Sequence, residues 1–230
     1  MQSSYALPVS ELDVDARATF IMRTYVHLLG AILAFAGVEF LIFSSGLAQP
    51  IAEAMLGVSW LLVLGGFMVV SWFASRAAAT AESKAAQYGA LAAFVVAEAL
   101  IFVPLLFMAA YYTSDPNVIG KAAWVTLLGF AGLTAVAFVT KKDFSFLGGM
   151  IKWGFVLALV AIVAGVLFGF DLGTWFSVAM VGLAGAAILY DTSKVLNGYP
   201  EDRYVAAALQ LFASVALMFW YVLRIFMSRD

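Results

Sequence analysis

Two carboxyl side chains stand inside apolar runs too long to be ordinary surface. Glu98 sits in Val96-Ala97-Glu98-Ala99-Leu100, near the middle of one run, and Asp191 in Ile188-Leu189-Tyr190-Asp191-Thr192, toward the end of another. An ionisable group at depth in hydrocarbon costs roughly 2.5 to 3.5 kcal/mol on insertion scales, so the few found there are the functional candidates. For Glu98 two readings stand. It is either a protonated carboxyl hydrogen-bonded to a neighbouring helix, or a station on an ion or proton path, where Pro104 frees the carbonyl of Leu100 as an extra oxygen ligand. Asp191 is either a boundary carboxylate paired with Lys194 or a loop arginine, or a titratable gate at the inner mouth of a cavity. His27 and Arg23, one helical turn apart, read as an interfacial pair whose arginine snorkels. Glu39 reads as lumen-facing or interfacial.

Other chemistries lack their residues. A retinal-type Schiff base needs a lysine in mid-span of the last helix, and none is there. A serine protease of the membrane needs a paired Ser and His, but the single His27 lies near one end of its helix. Aspartyl proteolysis needs two facing carboxylates and a Gly-x-Gly-Asp pattern, which is absent. With one His and no Cys there is no zinc ligand set, no disulfide and no thiol nucleophile. No strand precedes a glycine-rich nucleotide loop. The basic residues form no continuous phosphate-binding surface, so nucleic acid is not an expected partner. The chain is therefore not expected to be an enzyme or to hold a resident cofactor or metal.

The elements that position these carboxyls are membrane spans. Hydrophobic residues make up 65% of the 230 and charged residues 11%, with a mean hydropathy of +1.02, far from a soluble domain. A spanning helix needs about 20 apolar residues. The pattern predicts seven: Phe20 to Phe43, Leu56 to Phe73, Tyr88 to Tyr112, Lys121 to Val139, Met150 to Phe170, Gly173 to Val195 and Val205 to Met227. Breakers separate them at Gly46 to Pro50, Ser114 to Asn117, Phe170 to Gly173 and Asn197 to Pro200. The expected fold is an all-α membrane protein, with residues 1–19 as a cytoplasmic tail and 20–230 as a seven-helix transmembrane domain. Glu11, Asp13 and Asp15 precede a lone Arg17, unlike the basic start of a secretory signal, so the first span is expected to be retained.

Of 12 Lys and Arg, Arg17, Arg23, Arg76, Lys84, Lys141, Lys142, Lys152, Lys194 and Arg203 fall on the N-terminal face, and Lys121, Arg224 and Arg229 on the other. That excess places the N-terminus in the cytoplasm and the C-terminus outside. All six tryptophans lie near predicted span ends, at headgroup level. Gly165 with Gly169, and Gly182 with Ala186, have the spacing that lets helix backbones approach closely.

Three stretches together resemble the Bax inhibitor-1 family. They are Thr140-Lys141-Lys142-Asp143-Phe144-Ser145-Phe146-Leu147 after the fourth span, Leu189-Tyr190-Asp191 in the sixth, and Ala206 to Phe212 continuing to Arg224 in the last. Glu98 with Pro104 is similar to the family's third-helix pattern, with Ala99 where glycine is common. The resemblance implies six helices around a central seventh. It also implies a pH-sensitive calcium (cation) leak channel or transporter, in which two aspartates share a proton, and calcium would be the transported ion. Asp191 would be the inner gate, Glu98 a midway polar station and Arg76 the latch of the closed state. One position departs: where leak members carry the second aspartate this chain has Ser214, which can hydrogen-bond Asp191 but cannot share its proton. Calcium prefers six to eight oxygens with several carboxylates, so one aspartate is a poor site. The alternative, implied by the YccA-like branch, is a non-catalytic modulator that binds a membrane-embedded AAA protease of the FtsH type through its N-terminal tail. That branch also implies a bacterial inner membrane, with the lipid bilayer as the surrounding partner.

Overall fold

A computed structural model of the protein describes residues 7–228. Among them are eight helices: α1 Val14–Ser44, α2 Ala48–Leu56, α3 Trp60–Thr80, α4 Lys84–Tyr112, α5 Val118–Thr140, α6 Leu147–Phe168, α7 Gly173–Asn197 and α8 Tyr204–Met227. All but α2 are long and apolar enough to cross a membrane. In hydrocarbon each backbone N–H and C=O must be paired within the segment, which is why these runs are helical throughout, with α4 continuous across Pro104.

α8 is the axis. It is buried along nearly its whole length, and α1, α3, α4, α5 and α7 all pack on it. Five of the other six spans therefore surround the last, where the resemblance implies six; α6 stands outside them. Around the ring α3 packs on α4, α4 on α1 and α5 on α7, while Tyr25 of α1 meets Phe130 and Phe138 of α5. α6 is held almost wholly by α7 and touches α3 at only a few points. The wall is thinnest there.

Several boundaries differ from the hydropathy reading. The second span runs Trp60–Thr80, not Leu56 to Phe73, because its helix continues past Phe73 through the less apolar stretch that holds Ser75, Arg76 and Thr80. The stretch read as a loop at Gly46 to Pro50 leads directly into α2. Ala48 and Ala52 of that short helix are buried against Val103 and Phe43, and Pro50 falls in its first turn, where a missing N–H costs nothing. α1 starts at Val14, capped by Asp13, whose side chain accepts from Ala16 N at 2.8 Å. The polar segment ahead of it is also anchored: Val9 N donates to Tyr199 O at 2.8 Å, Glu201 N donates to Leu7 O at 3.2 Å, and Val9 is fully buried.

The close helix approaches lie elsewhere than the two small-residue pairs. Gly169 is the left-handed cap of α6 (φ 70°) rather than a packing residue, and Gly182 has nothing within 4 Å of where a Cβ would sit. Gly148 and Gly154 are the true contacts of α6 on α7. A Cβ on Gly148 would stand 2.9 Å from the Tyr190 ring, and one on Gly154 2.6 Å from a terminal methyl of Leu183. A ring cannot swing away as a leucine tip can. Gly148→Ala is therefore expected to cost about 1 to 3 kcal/mol of stability. Gly182→Ala should be neutral or gain up to about 1 kcal/mol from helix propensity. Thermal unfolding of the detergent-solubilised variants separates the two, and equal melting would contradict this assignment.

Candidate functional site

α7 and α8 form the most extensive helix pair of the molecule, joined by the short turn 198–203 and therefore antiparallel. Both helices carry buried alanines. Ala206, Ala207 and Ala208 on α8, and Ala184 and Ala187 on α7, are all 5% exposed or less. The tight pairing brings two polar side chains face to face in an otherwise apolar seam: Ser214 Oγ donates to Asp191 Oδ2 at 2.6 Å, with both residues buried. A hydrogen bond to a carboxylate is among the stronger neutral–charged contacts, and it stabilises the ionised form.

Lys194, one turn beyond Asp191, does not pair with it. Its ammonium lies over the rings of Tyr190 and Tyr199, at 5.3 and 5.1 Å from their centroids. The same end of the seam holds the Tyr199 hydroxyl in the α7–α8 turn, pushed up from the usual phenol value by burial first and then by the charge of Asp191. Phe144 N, in the loop after α5, donates to Ser193 Oγ at 3.1 Å, and Asp143 accepts from Ser145 N at 2.8 Å. The Thr140 to Leu147 motif thus serves as a clasp: it folds the α5–α6 connection onto α7 beside Asp191 and delivers Gly148 to Tyr190.

Asp191 and Ser214 border a cavity of about 760 Å³ enclosed by α3, α4, α6, α7 and α8. Glu98 reaches the same cavity from α4. It is buried, and no hydrogen-bond partner is found for its carboxyl among the described residues. The cavity has two chemically distinct halves. Toward the N-terminal face its walls carry Ser71, Ser75, Glu98, Tyr190, Asp191, Gln210 and Ser214 among the apolar Phe94, Ile151 and Phe155. Toward the opposite face they carry Trp60, Leu64, Leu105, Ile162, Val166 and Leu217, until Arg224 and Asp171 appear at the rim.

Three of the four sequence-derived residues, Asp191, Glu98 and Ser214, therefore share one space. Arg76 does not enter it. Its side chain is exposed, with the guanidinium 5.8 Å from the Trp72 ring centroid, one residue beyond Ser75 on α3. Ser71, Ser75 and Gln210 were not singled out from sequence. The signal for the serines was present in the helical spacing Leu64, Phe67, Ser71, Ser75, which puts all four on one face. Gln210 stands next to the apolar Leu209 and Leu211, and only the packing shows which way it faces.

Two expectations are corrected. Glu39 is neither lumen-facing nor interfacial. It is buried within the protein one turn beyond Phe35, and neither carboxyl oxygen has a partner among the described residues. His27 and Arg23 are not a side-chain pair: His27 Nδ1 bonds the Arg23 backbone carbonyl at 2.6 Å and Nε2 bonds the Tyr88 hydroxyl at 2.9 Å. The Arg23 guanidinium turns over the Tyr204 ring instead.

The family model described as Inhibitor of apoptosis-promoting Bax1 matches residues 17–230. The chain belongs to the Bax inhibitor-1 family. Among curated relatives it is similar to an uncharacterized protein of Pseudomonas aeruginosa, 36% identical over 124 residues, 54% of this chain and 55% of that one. It is also similar to a protein of Escherichia coli named Modulator of FtsH protease YccA, 35% identical over 117 residues, 50% and 53% of the two chains. In both cases the match spans about half the relative's length. An uncharacterized protein of Deinococcus radiodurans is 28% identical over 232 residues, 94% of each. The protein is thus a multi-pass, all-α membrane protein of this family.

Among the described residues no three His, Asp or Glu side chains converge as a metal site. What the cavity offers is one hydrogen-bonded carboxyl, Asp191, and one unpartnered carboxyl, Glu98. Ser214→Ala should leave an oxygen of Asp191 without its donor and lower stability by about 1 to 3 kcal/mol. An unchanged melting temperature in detergent would mean that the hydroxyl is not held by Asp191.

Proposed function

We propose that this member of the Bax inhibitor-1 family is a non-catalytic, pH-sensitive cation leak pathway, with calcium the cargo that the family resemblance implies. The observation that carries the reading is the hydrogen-bonded Asp191–Ser214 pair at the polar end of a cavity that also holds the unpartnered Glu98. Nine of 12 basic residues on the N-terminal face support a cytoplasmic N-terminus and an outside C-terminus. The relative named an inner membrane protein supports that membrane. In this arrangement Asp191 is the inner gate. Ionised, it attracts a cation to the mouth; protonated, it removes that attraction. Glu98 is the next oxygen inward. Together with Ser214 the two carboxyls supply fewer ligands than the six to eight oxygens of a resident calcium site, which suits passage better than storage. Arg76, just outside the cavity, is the proposed latch that turns from Trp72 toward Asp191 in a closed state.

A second reading, modulation of an FtsH-type membrane protease, is supported by the printed name of the Escherichia coli relative. It is also supported by the anchored segment Leu7 to Leu12, which presents a fixed surface on the same face as Asp191.

Calcium flux into liposomes tests the first reading. Asp191→Asn is expected to slow it about tenfold, equivalent to about 1.4 kcal/mol. Ser214→Asp, by adding a second carboxylate against the first, should make flux depend more steeply on pH. Vesicles carrying the protein that leak no faster than empty ones would remove the reading. For the second, an FtsH-type protease should co-purify from native membranes, as detected by antibody against it, and removal of residues 1–12 should abolish the association. Recovery of the full chain without the protease would count against it.

A further inference from the structure

The polar half of the cavity is accounted for by the carboxyls, but the apolar half is not. Trp60, Leu64, Leu105, Ile162, Val166 and Leu217 line a space that an ion has no reason to enter, since no oxygen there replaces its hydration. This half lies where the helix ring is weakest, between α3 and α6. An opening between two spanning helices faces acyl chains rather than water. Along α8 the apolar half runs from Arg224 to Leu217, about 10 Å at 1.5 Å per residue, which is roughly a third of a bilayer's hydrocarbon thickness.

Chemistry at the rim selects a headgroup. Arg224 lies at the end of α8 that sits at the membrane surface, half-buried, and it has no carboxylate within 4 Å among the described residues. Asp171 borders the same rim at the N-terminus of α7, where its Oδ1 accepts from Gly173 N at 2.9 Å and the positive helix end offsets its charge in part. A cation above an apolar slot matches an anionic phosphate joined to a hydrocarbon chain.

We propose that the apolar half of the cavity is a binding site for one acyl chain of an anionic bilayer phospholipid, which enters between α3 and α6 with its phosphate on Arg224. The bound chain plugs the end of the cavity remote from Asp191 and ends near Glu98. Its occupancy does not depend on whether cations pass through the polar half.

The stacked rings of Trp60 and Trp220, 5.9 Å apart, both border this space and report on it. The other tryptophans, Trp72, Trp124, Trp153 and Trp175, are 57% to 85% exposed and can be replaced by phenylalanine without touching the core. In vesicles of phosphatidylcholine doped with chain-brominated lipid, emission from the Trp60–Trp220 pair is expected to be quenched. Brominated phosphatidylglycerol should act at about fivefold lower mole fraction than brominated phosphatidylcholine. Arg224→Gln should abolish that preference, and Leu105→Phe, which fills the slot, should reduce quenching by both lipids. Lipid retained by the unaltered full-length chain, identified by native mass spectrometry, gives a second measurement free of substitutions and should be phosphatidylglycerol in excess of its share of the vesicles. The proposal is overturned if neither brominated lipid quenches the pair, or if the two quench alike before and after Arg224→Gln.

Discussion

The contact between α7 and α8 governs the rest of the molecule. A carboxylate is tolerated at depth only if something replaces the water it has left, and here a serine hydroxyl 2.6 Å away on the partner helix does so. That distance requires the two backbones to lie close. It also requires the chain to turn back at once, through the short segment 198–203. Once that pair is set, α8 becomes the axis on which the other helices are arranged, and the cavity is the space left where α6 fails to reach it.

The spans were legible because lipid demands long apolar helices, and hydropathy measures that demand directly. Their ends were less so. Ser71 to Thr80 lowers the local hydropathy, yet the helix of α3 continues because its backbone is still best paired internally. α2 is nine residues long, too short to leave a membrane signature, and its two buried alanines carry little weight in any window. Gly182 and Ala186 have the right spacing for helix packing but face no close neighbour, whereas Gly148 has no such partner in sequence and meets a tyrosine ring. Spacing shows which residues share a helix face. It does not show what lies opposite.

The candidate site follows the same rule. Asp191, Glu98 and Ser214 stood out because polar atoms in apolar runs are rare, and all three border one cavity. Glu39 stood out for the same reason but lies apart, walled in near Phe35. Rarity identified the expensive residues, and only three dimensions separated those that share a space from the one that does not. The division of the cavity into a polar and an apolar half was invisible in the sequence, because each half draws on at least four helices whose relative rotation no single stretch encodes.

The junction of Val9 with Tyr199 and of Leu7 with Glu201 has a mechanical meaning. These backbone bonds splice the start of the chain to the turn that ends Asp191's helix and begins the axial one. A load applied at Leu7 would be borne directly by that turn. Tension on this segment and the geometry of a carboxyl group in the bilayer are thereby put in series.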